Sequence, residues 1–160
     1  EFTNKTDGFW EIEKINPKCK VLKEYLLGGV EGSGDVQGAT FCDMAQVEFG
    51  DKVNVVLALY DGYMVGANES FMRWDGDRSK VAVYGCDCGT AICDWIVDSE
   101  NNESVIRGAC ANAIAAERLF AVLTGTAELN ENNETDLNLA EVDTPEEAIA
   151  YKEYLKAYSY

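Results

Sequence analysis

The middle of the chain alternates apolar runs with short polar breaks. Residues 52–60 are rich in Val and Leu and end at Asp61-Gly62. Both central positions of a type I′ hairpin turn need positive φ, which Asp-Gly supplies, so 63–73 is expected as the return strand. Asp75-Gly76 repeats the signal, and 79–86 comes back as the next strand. Residues 91–97 and 104–110 form a further candidate hairpin around the polar stretch 99–102. Residues 117–124 read as a last strand, although the Ala-rich stretch 109–121 also suits a helix. With 9–14, 20–27 and 39–49 added, the count reaches about eight or nine strands.

The flanking segments read differently. Residues 28–38 contain five glycines and are expected as a long mobile loop. Residues 129–141 are acidic and rich in Asn. Thr144 then offers an N-cap, Pro145 a first helical position and Glu147 a third, which predicts a helix over about 144–158. Ala148, Tyr151, Leu155 and Tyr158 share one face of it. No internal repeat or linker divides the chain, so a single domain is expected over 1–160, with its sheet over 8–129. Antiparallel strands in an up-and-down meander have a reason to close, because closure removes both exposed edges. The expected fold is therefore all-β: an antiparallel up-and-down β-barrel of about eight strands with a C-terminal α-helix. A barrel of that size encloses room for one small ligand.

Composition narrows the function. The 160 residues carry a formal charge of −16, which repels nucleic acid and anionic lipid and favours a cationic ligand or a basic protein partner. There is no histidine, which excludes Ser-His-Asp and Cys-His catalysis and His-ligated zinc. No catalytic residue stands out, so an enzyme is not expected, and neither a cofactor nor a metal is called for. Cysteines at 19, 42, 86, 88, 93 and 110 make an even count, which predicts disulfides among Cys19, Cys42, Cys86, Cys88, Cys93 and Cys110 in an oxidising compartment. Asn4, Asn68, Asn102 and Asn133 each open an Asn-x-Ser/Thr sequon, which supports a secreted, extracellular glycoprotein. No stretch is long and apolar enough to span a membrane. No signal peptide is visible, which fits a mature form.

Three blocks carry a resemblance. Gly8-Phe9-Trp10 fits the Gly-x-Trp start of a first strand, and "EIEKI" (11–15) continues it. "WIVDSENNESVIRGAC" (95–110) and "VLTGTAEL" (122–129) come next, in order. Together they resemble the lipocalin family, in its apolipoprotein D-like branch. Gly125 departs from that pattern, since the family carries there an Arg that packs over the first-strand Trp. The resemblance implies a lipocalin-like barrel whose floor is closed by Trp10; a Trp in another β-sandwich core is the alternative. It also implies disulfide-bonded cysteines at Cys19 and Cys110.

Hairpin register suggests the barrel wall. Around Asp61-Gly62, Leu59 pairs with Met64; around Asp75-Gly76, Met72 pairs with Ser79. Alternation then places Val55, Leu57, Leu59, Met64, Met72, Val81 and Val83 on one face, the expected ligand-binding wall. The same face takes Asn68, in conflict with its glycosylation, and the opposite assignment stays open. The expected function is a secreted carrier that binds or sequesters a small hydrophobic or amphipathic molecule, such as a lipid, pigment or amine. The alternative is a secreted protein-interaction module, an inhibitor or immune modulator, acting through its acidic surface and loops.

Overall fold

The apolar runs at 52–60, 79–86 and 104–110 each hold a strand: β1 (Val55–Ala58), β2 (Ala82–Cys86) and β3 (Ile106–Ala111). The computed structural model describes residues 9–25, 31–111 and 140–157. In it, β1 pairs with β2 and β2 with β3 in parallel. A short strand, β4 (Ala140–Val142), adds antiparallel to β3, giving the order β1-β2-β3-β4. Parallel strands cannot be joined by tight turns; the chain has to cross back over the sheet. It does so in helices. Those described in full are α1 (Ile12–Ile15), α2 (Gly34–Phe49), α3 (Asp61–Arg73), α4 (Thr90–Asp98) and α5 (Pro145–Ala157).

This α/β arrangement overturns the all-β barrel. The expected return strand at 63–73 is α3. Its buried residues are Tyr63, Met64, Gly66, Ala67, Asn68, Ser70 and Phe71, a helical spacing and not an alternation. The expected strand at 91–97 is α4, which buries Ile92, Cys93 and Ile96. The expected strand at 39–49 and the end of the expected glycine loop, 34–38, are both in α2. Asp61-Gly62 is not a hairpin turn but the first turn of α3, where an acid is favoured by the partial positive charge of the helix start. Asp75-Gly76 lies in a bend beyond α3 that leads to a parallel, not antiparallel, partner. Residues 9–14 end in the helical turn α1, and 20–25 pair with no strand among the described residues. The expected last strand at 117–124, the loop at 129–139, Gly8, Tyr158 and the sequons at Asn4 and Asn133 lie outside the described residues.

The core lies between the sheet and the helices on one of its faces. Met64, Phe71, Val83, Ile92, Ile96 and Ile106 are fully buried there, and each such side chain contributes about 1.5–3 kcal/mol. Gly85 admits this packing, because a Cβ on it would lie 2.6 Å from the Met64 sulfur. Asn68 locks α3 to the sheet: its Oδ1 accepts from the Ser104 hydroxyl at 3.0 Å and from the Val105 N–H at 2.9 Å. With Asn68 buried mid-helix, a glycan on it would have to displace the core.

Helices α2 and α3 run side by side in the same direction. Gly34 lies against Tyr60, Gly38 against the Tyr63 backbone and Gly66 against Asp35 and Ala39. Near their ends, the Ser70 hydroxyl donates to Asp43 Oδ1 at 2.5 Å and accepts from Gln46 Nε2 at 2.8 Å. Gly50, at φ +54, ends α2 in a conformation that L side chains rarely adopt. At the other end of the chain, Thr144 and Glu147 form a reciprocal cap that starts α5. Thr144 Oγ1 accepts from the Glu147 N–H, and Glu147 Oε2 accepts from the Asp143 and Thr144 N–H groups, all at 3.2 Å. Ala148 is then buried, and Lys152 pairs with Asp94 of α4.

Candidate functional site

Because β1, β2 and β3 are parallel, their carboxyl ends lie along one edge of the sheet. That edge collects Leu59, Tyr60 and Asp61 after β1, and Asp87, Cys88, Gly89 and Thr90 after β2. Helices α3 and α4 begin at this edge, at Asp61 and Thr90. α2 begins there too, since a Cβ on Gly34 would meet the Tyr60 hydroxyl. Each helix start presents N–H groups without intrahelical partners and a partial positive charge.

The crest is built from short backbone devices. Asp87 sits at φ +70, which turns the chain sharply out of β2, and its N–H donates to the Cys110 carbonyl at 2.8 Å. Gly89 caps α4 and leaves space beside it: its absent Cβ would stand 3.5 Å from Asp61 Oδ2. The Asp61 carboxylate at the start of α3 therefore lies beside the connection that leads into α4. Tyr60 packs on Tyr63 with ring centroids 4.3 Å apart, and the Tyr63 hydroxyl donates to Gln37 Oε1 at 3.0 Å. Burial, then the neighbouring Tyr60, pushes the Tyr63 phenol up from its ordinary range. Asp35, one residue into α2, is held below the usual carboxylate range by the Ser33 hydroxyl and the Val36 N–H.

Below the crest lie two thiols. Cys88 Sγ and Cys93 Sγ are 3.6 Å apart and buried. The hydrogen bond between them holds the Cys93 thiol below its ordinary range and pushes the Cys88 thiol up. No disulfide joins cysteines among the described residues. No group of three or more Cys, Asp or Glu side chains is arranged to hold a metal among the described residues.

The sequence-predicted wall residues do not share one surface. Met64, Val81 and Val83 are in the helix–sheet core. Val55 and Leu57 pair in register with Ala82 and Tyr84 on the other face of the sheet, where Val55 is 46% exposed. Leu59 comes directly after β1, and Met72 is half-buried on α3. Trp10 is 44% exposed and donates to Glu24 Oε2 at 3.3 Å, so it closes no floor. Asn102 is exposed at φ +58. A shallow groove of about 460 Å³ runs elsewhere, along Thr40, Asp43, Met44, Val47 and Glu48 of α2. Sequence reasoning misses the crest residues Tyr60, Asp61, Asp87 and Thr90. Their signal is an apolar run that breaks at Asp or Gly into a helix-period segment, twice in succession.

No protein-family model and no curated protein matches the chain. A solved structure does: a solute-binding protein of a 5-methylthioribose transporter from Thermotoga lettingae TMO, determined with 5-methylthioribose bound. The TM-score is 0.66 at 22% sequence identity, over 96% of this chain and 45% of that one. The likeness shows a shared α/β fold, and this chain spans less than half of the length of the protein it matches. The likeness overturns the lipocalin resemblance, and with it the secreted lipocalin carrier and the interaction module built on the same barrel. No helix among the described residues is long and apolar enough to cross a membrane.

Proposed function

We propose that the chain is a binding unit for a small, uncharged, hydroxyl-rich molecule, held at the carboxyl-terminal crest of the sheet. The observation that carries the reading is the meeting of Tyr60, Asp61 and Thr90 with the starts of α3 and α4 at that edge. In open α/β sheets, ligands bind outside the carboxyl ends of the strands. A carboxylate accepts from ligand hydroxyls, unpartnered helix N–H groups donate to them, and an aromatic pair offers an apolar wall. The charge of −16 works against an anionic ligand. The likeness to a solute-binding protein for 5-methylthioribose supports the same reading. Solute-binding proteins of this kind close two lobes on a ligand, and the crest would supply one side of such a site. The reading contains no catalytic step.

The test is calorimetric titration against a panel of pentoses and hexoses that includes 5-methylthioribose. A hydrogen bond to a charged group is worth about 1.5–3 kcal/mol. Asp61→Asn should therefore weaken binding roughly 10- to 100-fold, with an unchanged circular dichroism spectrum. Equal affinity in the variant, or no heat with any member of the panel at millimolar concentration, would reject the reading.

A further inference from the structure

We propose that Cys88 and Cys93 are a redox-modification site, a dithiol that a peroxide converts reversibly into an intrachain disulfide. The two sulfurs are 3.6 Å apart, across the turn in which β2 hands over to α4. A disulfide needs them at about 2.05 Å, which a small movement of the 87–90 connection supplies. Cys93 lies in the first turns of α4, where its N–H bonds the Gly89 carbonyl at 3.2 Å. Cys88 stands just outside that helix, so the pair joins a loop to a rigid element.

The two thiols divide the work. The hydrogen bond from Cys88 favours the thiolate of Cys93, which makes Cys93 the nucleophile and Cys88 the resolving thiol. Cys93 is 0% exposed and Cys88 6% exposed, so the oxidant must be small. The thiolate attacks one oxygen of hydrogen peroxide and breaks the O–O bond. With one proton taken up, this gives a sulfenic acid and one water. The Cys88 sulfur then attacks that sulfur, loses its proton, and displaces the hydroxyl as a second water. Two thiols and one peroxide become one disulfide and two waters.

The other cysteines are different. Cys42 sits alone in α2, and burial pushes its thiol up to about 12. Cys86 and Cys110 are register partners across β2 and β3, on the opposite face of the sheet from the core. They offer the rival pairing.

The experiment treats the reduced full chain with hydrogen peroxide, blocks the remaining thiols and maps peptides without reductant. The expected result is a loss of two hydrogens confined to a Cys88–Cys93 link, restored by dithiothreitol. In Cys88→Ser the same treatment should leave Cys93 as a sulfenic acid that dimedone traps. A Cys86–Cys110 link alone, over-oxidation of Cys93 in the native sequence, or thiols unchanged after exposure would each overturn the proposal. The native-sequence map decides the matter even if the variant does not fold.

Discussion

At the scale of single residues, the tightest constraint is where α2 meets α3. A Cβ on Gly66 would lie 2.0 Å from the Asp35 carbonyl oxygen and 2.5 Å from the Ala39 nitrogen. Both are backbone atoms, so no side chain can swing away; the helices must part. Gly66→Ala is expected to destabilise the protein by about 3 kcal/mol. Gly50→Ala should cost less, about 1–2 kcal/mol, because Gly50 needs its positive φ but has nothing within 4 Å. Urea unfolding of the two variants measures the difference, and equal midpoints would show that the helix contact is not close. The same residues explain a misreading. Gly34 and Gly38 read as a mobile loop when taken alone. Their spacing of four, matched by Gly62 and Gly66, is the pattern that lets two helix backbones approach. Its meaning lies in the partner helix, which a local window does not contain.

At the scale of elements, the cap of α5 makes a pH prediction. The Asp143 N–H, then the Thr144 side chain, hold the Glu147 carboxyl below its ordinary range. A depressed carboxylate stabilises the fold above its unfolded pKa, about 4.3, and that contribution is lost as pH falls through the lower folded value. Asp143 has the opposite sign. Its carboxyl is raised by Glu147, so it favours the fold at low pH and works against it once ionised. Glu147→Gln should lower the melting temperature at pH 7 and flatten its acid dependence, whereas Asp143→Asn should raise it. Melting curves between pH 3 and pH 7 check both, and parallel curves for all three proteins would exclude the cap as a source of pH dependence.

The cap is readable because its chemistry is contained within four residues. The strands are readable in position, as apolar runs, but not in partner. Asp61-Gly62 satisfies a hairpin turn and a helix start equally well, and Tyr63, Val65 and Phe71 are good strand formers. Only the burial of Met64, Ala67 and Phe71 together, against Val83 and Gly85, decides for the helix. The same ambiguity hides the crest. Read locally, Asp61 is a turn residue, and nothing in the sequence sets it beside Gly89 across the sheet edge.

At the scale of the whole molecule, charge dominates. A formal charge of −16 on 160 residues makes the fold repel itself. The ion pairs do little to offset this, since pairs such as Lys80–Asp77 and Lys23–Glu48 are exposed. At about 0.1 M salt the screening length is roughly 10 Å. Raising NaCl from low concentration should therefore raise the melting temperature by several degrees. A fall would mean that ion pairs outweigh the repulsion.

The irregularity between β2 and β3 has a consequence for how this chain tolerates change in length. The register passes from Val83–Ile106 directly to Tyr84–Gly108, which leaves Arg107 as the supernumerary residue of its strand. Its guanidinium is used elsewhere, donating to the Ser99 carbonyl at 2.7 Å and the Ser104 carbonyl at 3.3 Å. Removing Arg107 would cost those two bonds but would keep Gly108, Ala109 and Cys110 opposite their present neighbours. Removing Ala109 or Cys110 instead would change which residue of β3 stands opposite Gly85 or Cys86. In a lineage of such chains, Arg107 is the place where β3 can gain or lose a codon and still close the same core.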